Sequence, residues 1–86
     1  MRIRFEHGLE MEIDDNVMDN MELVDALAEV ADDDTLAVTK VCTCLLGKEK
    51  KKVLYDSLRK DGRVPVEDVS KAIMQIFMAF KEKGKN

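Results

Sequence analysis

Cys42-Thr43-Cys44 carries both thiols of the chain and is the obvious place to look for a metal site. Zinc needs thiolates and imidazoles converging on one tetrahedron. The apolar spacing around the pair is helical, and helical residues two apart point roughly 200° away from each other. The two sulfurs therefore cannot share an ion, and no second pair of cysteines or histidines exists to complete a site. Buried structural thiols are expected. His7 is the only histidine. A catalytic base needs a nucleophile within reach and an acid to orient it, and its neighbours in sequence supply neither. A surface turn residue is expected there.

Two stretches resemble calcium loops at first sight. Asp32-Asp33-Asp34 is acidic but lacks the glycine-centred spacing of such a loop. Ser57 to Asp68 places Gly62 at the sixth loop position and Val64 at the eighth. Its ligand positions fail, because Arg59 would bring a cation where calcium needs oxygen and Asp68 stands where a bidentate glutamate belongs. Lys48, Lys50, Lys51 and Lys52, with Arg59, Lys60 and Arg63 nearby, raise nucleic-acid binding, which begins with phosphate neutralisation. Against it, the isoelectric point is about 4.9. The helix expected after the turn presents Glu67, Asp68 and Lys71 rather than side chains suited to base edges. A small regulatory nucleic-acid binder using the basic second half is the alternative function. The main expectation is a non-enzymatic protein with no catalytic residues, no metal and no cofactor.

Such a protein must be organised by its elements. Eighty-six residues, 45% of them hydrophobic, suffice for one folded domain spanning 1–86. No run of about 18 apolar residues is present, so no membrane is expected. Met1-Arg2-Ile3-Arg4 turns polar too soon for a signal peptide, which points to the cytoplasm. The net charge of −4 is unevenly spread. Residues 1–46 hold three basic and twelve acidic side chains, a balance of −9; residues 47–86 hold eleven and six, a balance of +5. Either two solvated faces attract within one fold, or unlike halves of neighbouring copies meet head to tail in a homo-oligomer.

The fold expected is α+β and mainly α, an N-terminal β-hairpin packed against about four helices. Period-two alternation over 2–13, with Glu6-His7-Gly8 as a three-residue turn, sets Ile3 against Met11 and Phe5 against Leu9. It also sets Arg2 opposite Glu12 and Arg4 opposite Glu10. Helices are expected at about 19–31, 35–46, 48–60 and 65–83. Asp19 and Glu22 have capping-box spacing, and Met18 and Leu23 that of a hydrophobic staple. One of the three aspartates, or Thr35, caps the second helix. That helix has the widest apolar arc, so it should be the most buried. Gly47 ends it. Gly62 and Pro65 form a structural corner, with glycine as the left-handed cap of one helix and proline opening the next.

The last helix holds more apolar surface than a core needs. Val66, Val69, Ile73, Ile76, Phe77 and Phe80 form one face. Met74 and Met78, one turn apart, fall on the opposite side. Methionine adapts to varied surfaces, so Met74, Met78, Phe77 and Phe80 are the expected partner-binding residues, with an amphipathic helical protein as the partner.

Met21-Glu22-Leu23-Val24, Leu45-Leu46-Gly47-Lys48-Glu49 and above all Leu58-Arg59-Lys60-Asp61-Gly62-Arg63-Val64-Pro65-Val66-Glu67 carry a family likeness. With the small N-terminal β element, the chain resembles the tail assembly chaperones of siphophages that infect Gram-positive bacteria. The resemblance implies a mainly helical, non-enzymatic protein in the host cytoplasm that binds the tape measure protein. It would keep that long helix soluble until tail-tube subunits polymerise around it.

Overall fold

The structure, a computed structural model, describes residues 1–83. The protein is mainly helical with a two-stranded antiparallel hairpin at its N-terminus. Strands β1 (Arg2–Arg4) and β2 (Glu10–Glu12) pair Arg2 with Glu12, Ile3 with Met11 and Arg4 with Glu10, the register the alternation predicts. Phe5 N–H donates to Leu9 at 2.8 Å and Gly8 takes φ 100°, so the three-residue loop closes on a left-handed glycine. The charges pair differently from expectation. Arg2 reaches diagonally to Glu10 at 3.4 Å, and Glu12 turns to the Met1 ammonium at 3.0 Å. Ile3, Phe5, Met11 and Ile13 face the helices and are buried.

Helix α1 (Met21–Ala31) begins one residue later than the capping-box spacing suggests. Asn20, not Asp19, is its cap, and the Asn20 side chain accepts from Glu22 N–H at 3.0 Å. Leu23 and Ala26 form its core face, while Val24 points outward. Its end is closed by the three aspartates. Asp33 sits at φ 66°, and its N–H donates to Val30 while that of Asp34 donates to Glu29. These are the paired bonds of a Schellman motif with aspartate in the place usually held by glycine. The Asp34 carboxylate then accepts from Leu36 N–H at 3.1 Å and leads the chain into α2.

Helix α2 (Ala37–Leu58) is broken at Gly47, as the sequence anticipates, into two helical arms. Gly47 adopts φ 74° and ψ 173°, a conformation essentially restricted to glycine. The arms on either side fold back on each other. Lys51 Nζ donates to Thr39 Oγ1 at 2.8 Å and to Thr43 Oγ1 at 3.1 Å. In a straight helix residues 39 and 51 would lie about 18 Å apart, beyond a lysine's reach. Tyr55 of the second arm packs against the same core, with Lys51 Nζ 5.7 Å from its ring centre. Val41, Cys42 and Leu45 are buried as the wide apolar arc predicts.

The Asp61-Gly62 corner corrects one expectation. Gly62 does not cap a helix, because α2 ends at Leu58 and Arg59 is already extended. Instead Lys60 and Arg63 exchange backbone hydrogen bonds of 2.7 and 3.1 Å around Asp61 (φ 52°) and Gly62 (φ 82°). Positive φ at both central residues is the type I′ turn that Asp-Gly favours. Pro65 then accepts the first helical bond, from Val69, and α3 (Val66–Lys83) follows. Val69, Ala72, Ile73 and Ile76 are its core face. Val66, assigned by spacing to that face, lies beyond the core and is 65% exposed. Hairpin, both arms of α2, α1 and α3 contribute to one continuous core.

Candidate functional site

Helix α3 separates two grooves, and three of the four residues predicted to bind a partner line them. On one side runs an apolar trough. Its floor is the α3 stripe Val69, Ile73 and Phe77, with Val41 beneath. Its wall is Leu27 and Val30 of α1 and Val38 of α2. Val38 belongs to both ends of the trough, joining the Phe77 end to a second hollow lined by Leu36, Tyr55 and Val66. From Val66 to Phe77 it runs about 16 Å, three helical turns. Leu36, 80% exposed, and Val66 stand at its mouth, and Met74 forms its rim. Ser70 is the one polar residue of the Phe77 end.

On the other side of α3, Met74 and Met78 face the hairpin across a wider groove shared with Arg4, Glu6 and Lys71. They are 59% and 52% exposed, outside the core as their helical phase predicts. Phe77 lines the trough. Phe80 is half-buried against the core and lines neither groove. Leu27, Val30, Leu36, Val38 and Val66 were not predicted as site residues. For Leu36 and Val38 the signal was the width of the apolar arc on the second helix, since an arc exceeding half the helix surface cannot all face one core; Leu27, Val30 and Val66 join them only through the fold.

The chemistry-bearing side chains are used structurally. His7 does meet a hydroxyl, contrary to expectation: its Nε2 lies 2.9 Å from Ser57 Oγ. That hydroxyl, however, donates to Leu54 C=O at 2.6 Å, so its proton is committed and it accepts from the imidazole. The pair clips the hairpin turn to the end of α2, beside a bond of 3.0 Å from Glu6 N–H to Gln75. Cys42 is buried and Cys44 half-buried. Burial pushes the Cys42 thiol above its ordinary range, making it a poor nucleophile. Burial likewise raises Tyr55, helped by its neighbour Cys42. Among the described residues no three histidine, cysteine or acidic side chains converge as metal ligands would. In the basic cluster, Lys51 is engaged by the two threonines, and Lys50 by the Glu12 carbonyl. No helix of the described residues is long and apolar enough to cross a membrane.

Comparison of the chain with protein-family models, curated proteins and solved structures gives no match.

Proposed function

We propose that this protein is a non-enzymatic assembly chaperone that holds an amphipathic helix of its partner in the trough between α1, α2 and α3. The trough itself carries the reading: three turns of mainly apolar lining, interrupted by Thr35, Thr39, Tyr55 and Ser70 and open to solvent at Leu36 and Val66. Helix-in-groove recognition needs such a strip, met by apolar anchors at helical spacing on the partner. Counted as rods, α1, the two arms of α2 and α3 give the four-helix packing that builds it. The sequence resemblance to siphophage tail assembly chaperones supplies a partner of the right kind, the long helical tape measure protein in the host cytoplasm. The uneven charge supports several copies along one such helix. Of the ion pairs in the described residues, only Lys83 to Asp15, at 2.6 Å, joins a side chain of the basic half to one of the acidic half. Most of the opposing charge thus remains available to a neighbouring copy.

The test uses a fluorescein-labelled 21-residue leucine–lysine amphipathic helical peptide and a scrambled control. Binding of the helical peptide alone is expected. The double change Leu36→Glu and Val66→Glu should weaken it at least tenfold without unfolding the protein, because both side chains are exposed. Unchanged affinity in the folded variant would remove the trough as the contact surface.

A further inference from the structure

The two edges of the hairpin are treated differently. The flanking bonds Phe5 to Leu9 and Ile13 to Met1 define these pairs as hydrogen-bonded, and Ile3–Met11 by alternation. The backbone groups of Arg2 and Arg4 on β1, and of Glu10 and Glu12 on β2, therefore point out of the sheet. On the β2 side Lys50 donates to Glu12 C=O and so closes one of the four outward groups. On the β1 side no hydrogen bond among the described residues reaches the N–H or C=O of Arg2 or Arg4. Four main-chain groups stand open in a row, which is a template for another strand. Beside them lies the groove of about 850 Å³ whose far wall is Met74 and Met78.

We infer that this groove is a second binding site, distinct from the trough, which takes an extended peptide as an added strand on β1. The side chains around it specify its chemistry. Residues of an added strand level with Arg2 and Arg4 share their solvent face, where directly opposite charges stabilise and like charges repel. Acidic residues belong there, and Arg4 makes no ion pair among the described residues. The alternate residues point to the helix side, where the two methionines give an adaptable apolar wall. The ligand is thus an acidic–apolar alternating segment. The chain's own β2, Glu10-Met11-Glu12, satisfies Arg2–Ile3–Arg4 by the same pattern from the other edge. A second copy adding its β1 is disfavoured, since an antiparallel pairing about Ile3 sets Arg2 against Arg4 twice. Main-chain bonds would supply affinity and alternate side chains specificity, as in other strand-addition sites.

The experiment titrates the full chain with a blocked peptide of its own sequence from Gly8 to Asp14, and with the same peptide carrying lysine for both glutamates. Amide exchange and methionine methyl signals are followed by NMR. The acidic peptide should slow exchange of the Arg2 and Arg4 amides at least tenfold and shift the Met74 and Met78 methyls; the lysine peptide should do neither. Arg4→Glu should weaken the acidic peptide at least tenfold, whereas Leu36→Glu with Val66→Glu should leave it bound, which separates this site from the trough. Equal binding of the two peptides, or unprotected Arg2 and Arg4 amides, would overturn the site. Concentration-dependent protection of those amides in the free protein, with a dimer by light scattering, would overturn the choice of ligand.

Discussion

The chain reverses at Gly47 and again at the three aspartates before α2, and the two reversals are held in opposite ways. At Gly47 the backbone makes the turn: φ 74° and ψ 173° reverse the chain at a residue without a side chain, and Lys51 then ties the arms through Thr39 and Thr43. At Asp32-Asp33-Asp34 side chains stand in. Asp33 accepts a left-handed φ of 66° that costs an L-residue energy, and Asp34 caps the following turn with its carboxylate. The first reversal is unstrained only because its residue is glycine. The second is built from residues that solvate well and tolerate the left-handed region, at some cost in stability. The fold is therefore brittle at Gly47 and open to improvement at Asp33.

Gly47→Ala should produce the largest effect. No atom lies within 4 Å of where a Cβ would sit, so the cost is conformational and not steric. Forcing an L-residue into this region costs about 1–3 kcal/mol, a fall in Tm on the order of 5–20 °C for a domain of this size. D-alanine at position 47, introduced by chemical synthesis, should restore Tm, because its mirror-image preferences include this conformation. Equal Tm values for the L-alanine, D-alanine and glycine forms would show that the kink does not hold the arms together.

Asp33→Gly should act in the opposite direction and less strongly. It removes the left-handed penalty and an anion at the unfavourable end of the α1 dipole, against the greater entropy of glycine in the unfolded chain. The net expectation is a gain of about 0.5–1 kcal/mol, seen as a rise in Tm of several degrees. A lower Tm would mean that the Asp33 side chain makes a contact worth more than the strain.

The same contrast explains what could be read from the sequence. The hairpin register was legible because period two and turn chemistry agree over residues 2–13. The start of α3 was legible because Pro65 and the acidic first turn mark it. Gly47 was legible as a break, though not how sharply it folds the arms together. Asp33 was not, because an aspartate run looks equally like a loop, a cap or a solvated face. Gly62 was found but misassigned: Asp-Gly satisfies a hairpin turn as well as a helix end, and only the extended Arg59 decides between them. Of the site, Met74 and Met78 were visible as apolar excess on α3, and Phe77 as part of its core-facing stripe. The trough wall was not, since Leu27, Val30 and Val38 meet Phe77 only through tertiary folding. The open edge of β1 depends on which strand edge Lys50 reaches, which no local pattern encodes.

A third junction uses charge alone, and should give the smallest effect. The Asp15 carboxylate lies 2.6 Å from Lys83 Nζ, at the end of α3, and 3.0 Å from the Met1 ammonium. Lys83 first and the ammonium second hold the Asp15 carboxyl below its usual range. Asp15 first and Glu12 second hold the ammonium above its own. A lowered carboxyl contributes stability above its unfolded pKa of about 4, and loses it as pH falls through the folded value. A raised ammonium contributes below its unfolded value of about 8, and loses it as pH rises through the folded one. The stability difference between the parent and Asp15→Asn should therefore be greatest between about pH 4 and 8 and shrink on both sides. All three groups lie in solvent, so 1 M salt should reduce the difference further. Lys83→Met should remove most of the acid-side dependence and leave the alkaline side in place, because that side belongs to the ammonium. A difference that persists unchanged at pH 2 and in high salt would show that Asp15 acts through packing or backbone geometry, as Gly47 does, and not through its charge.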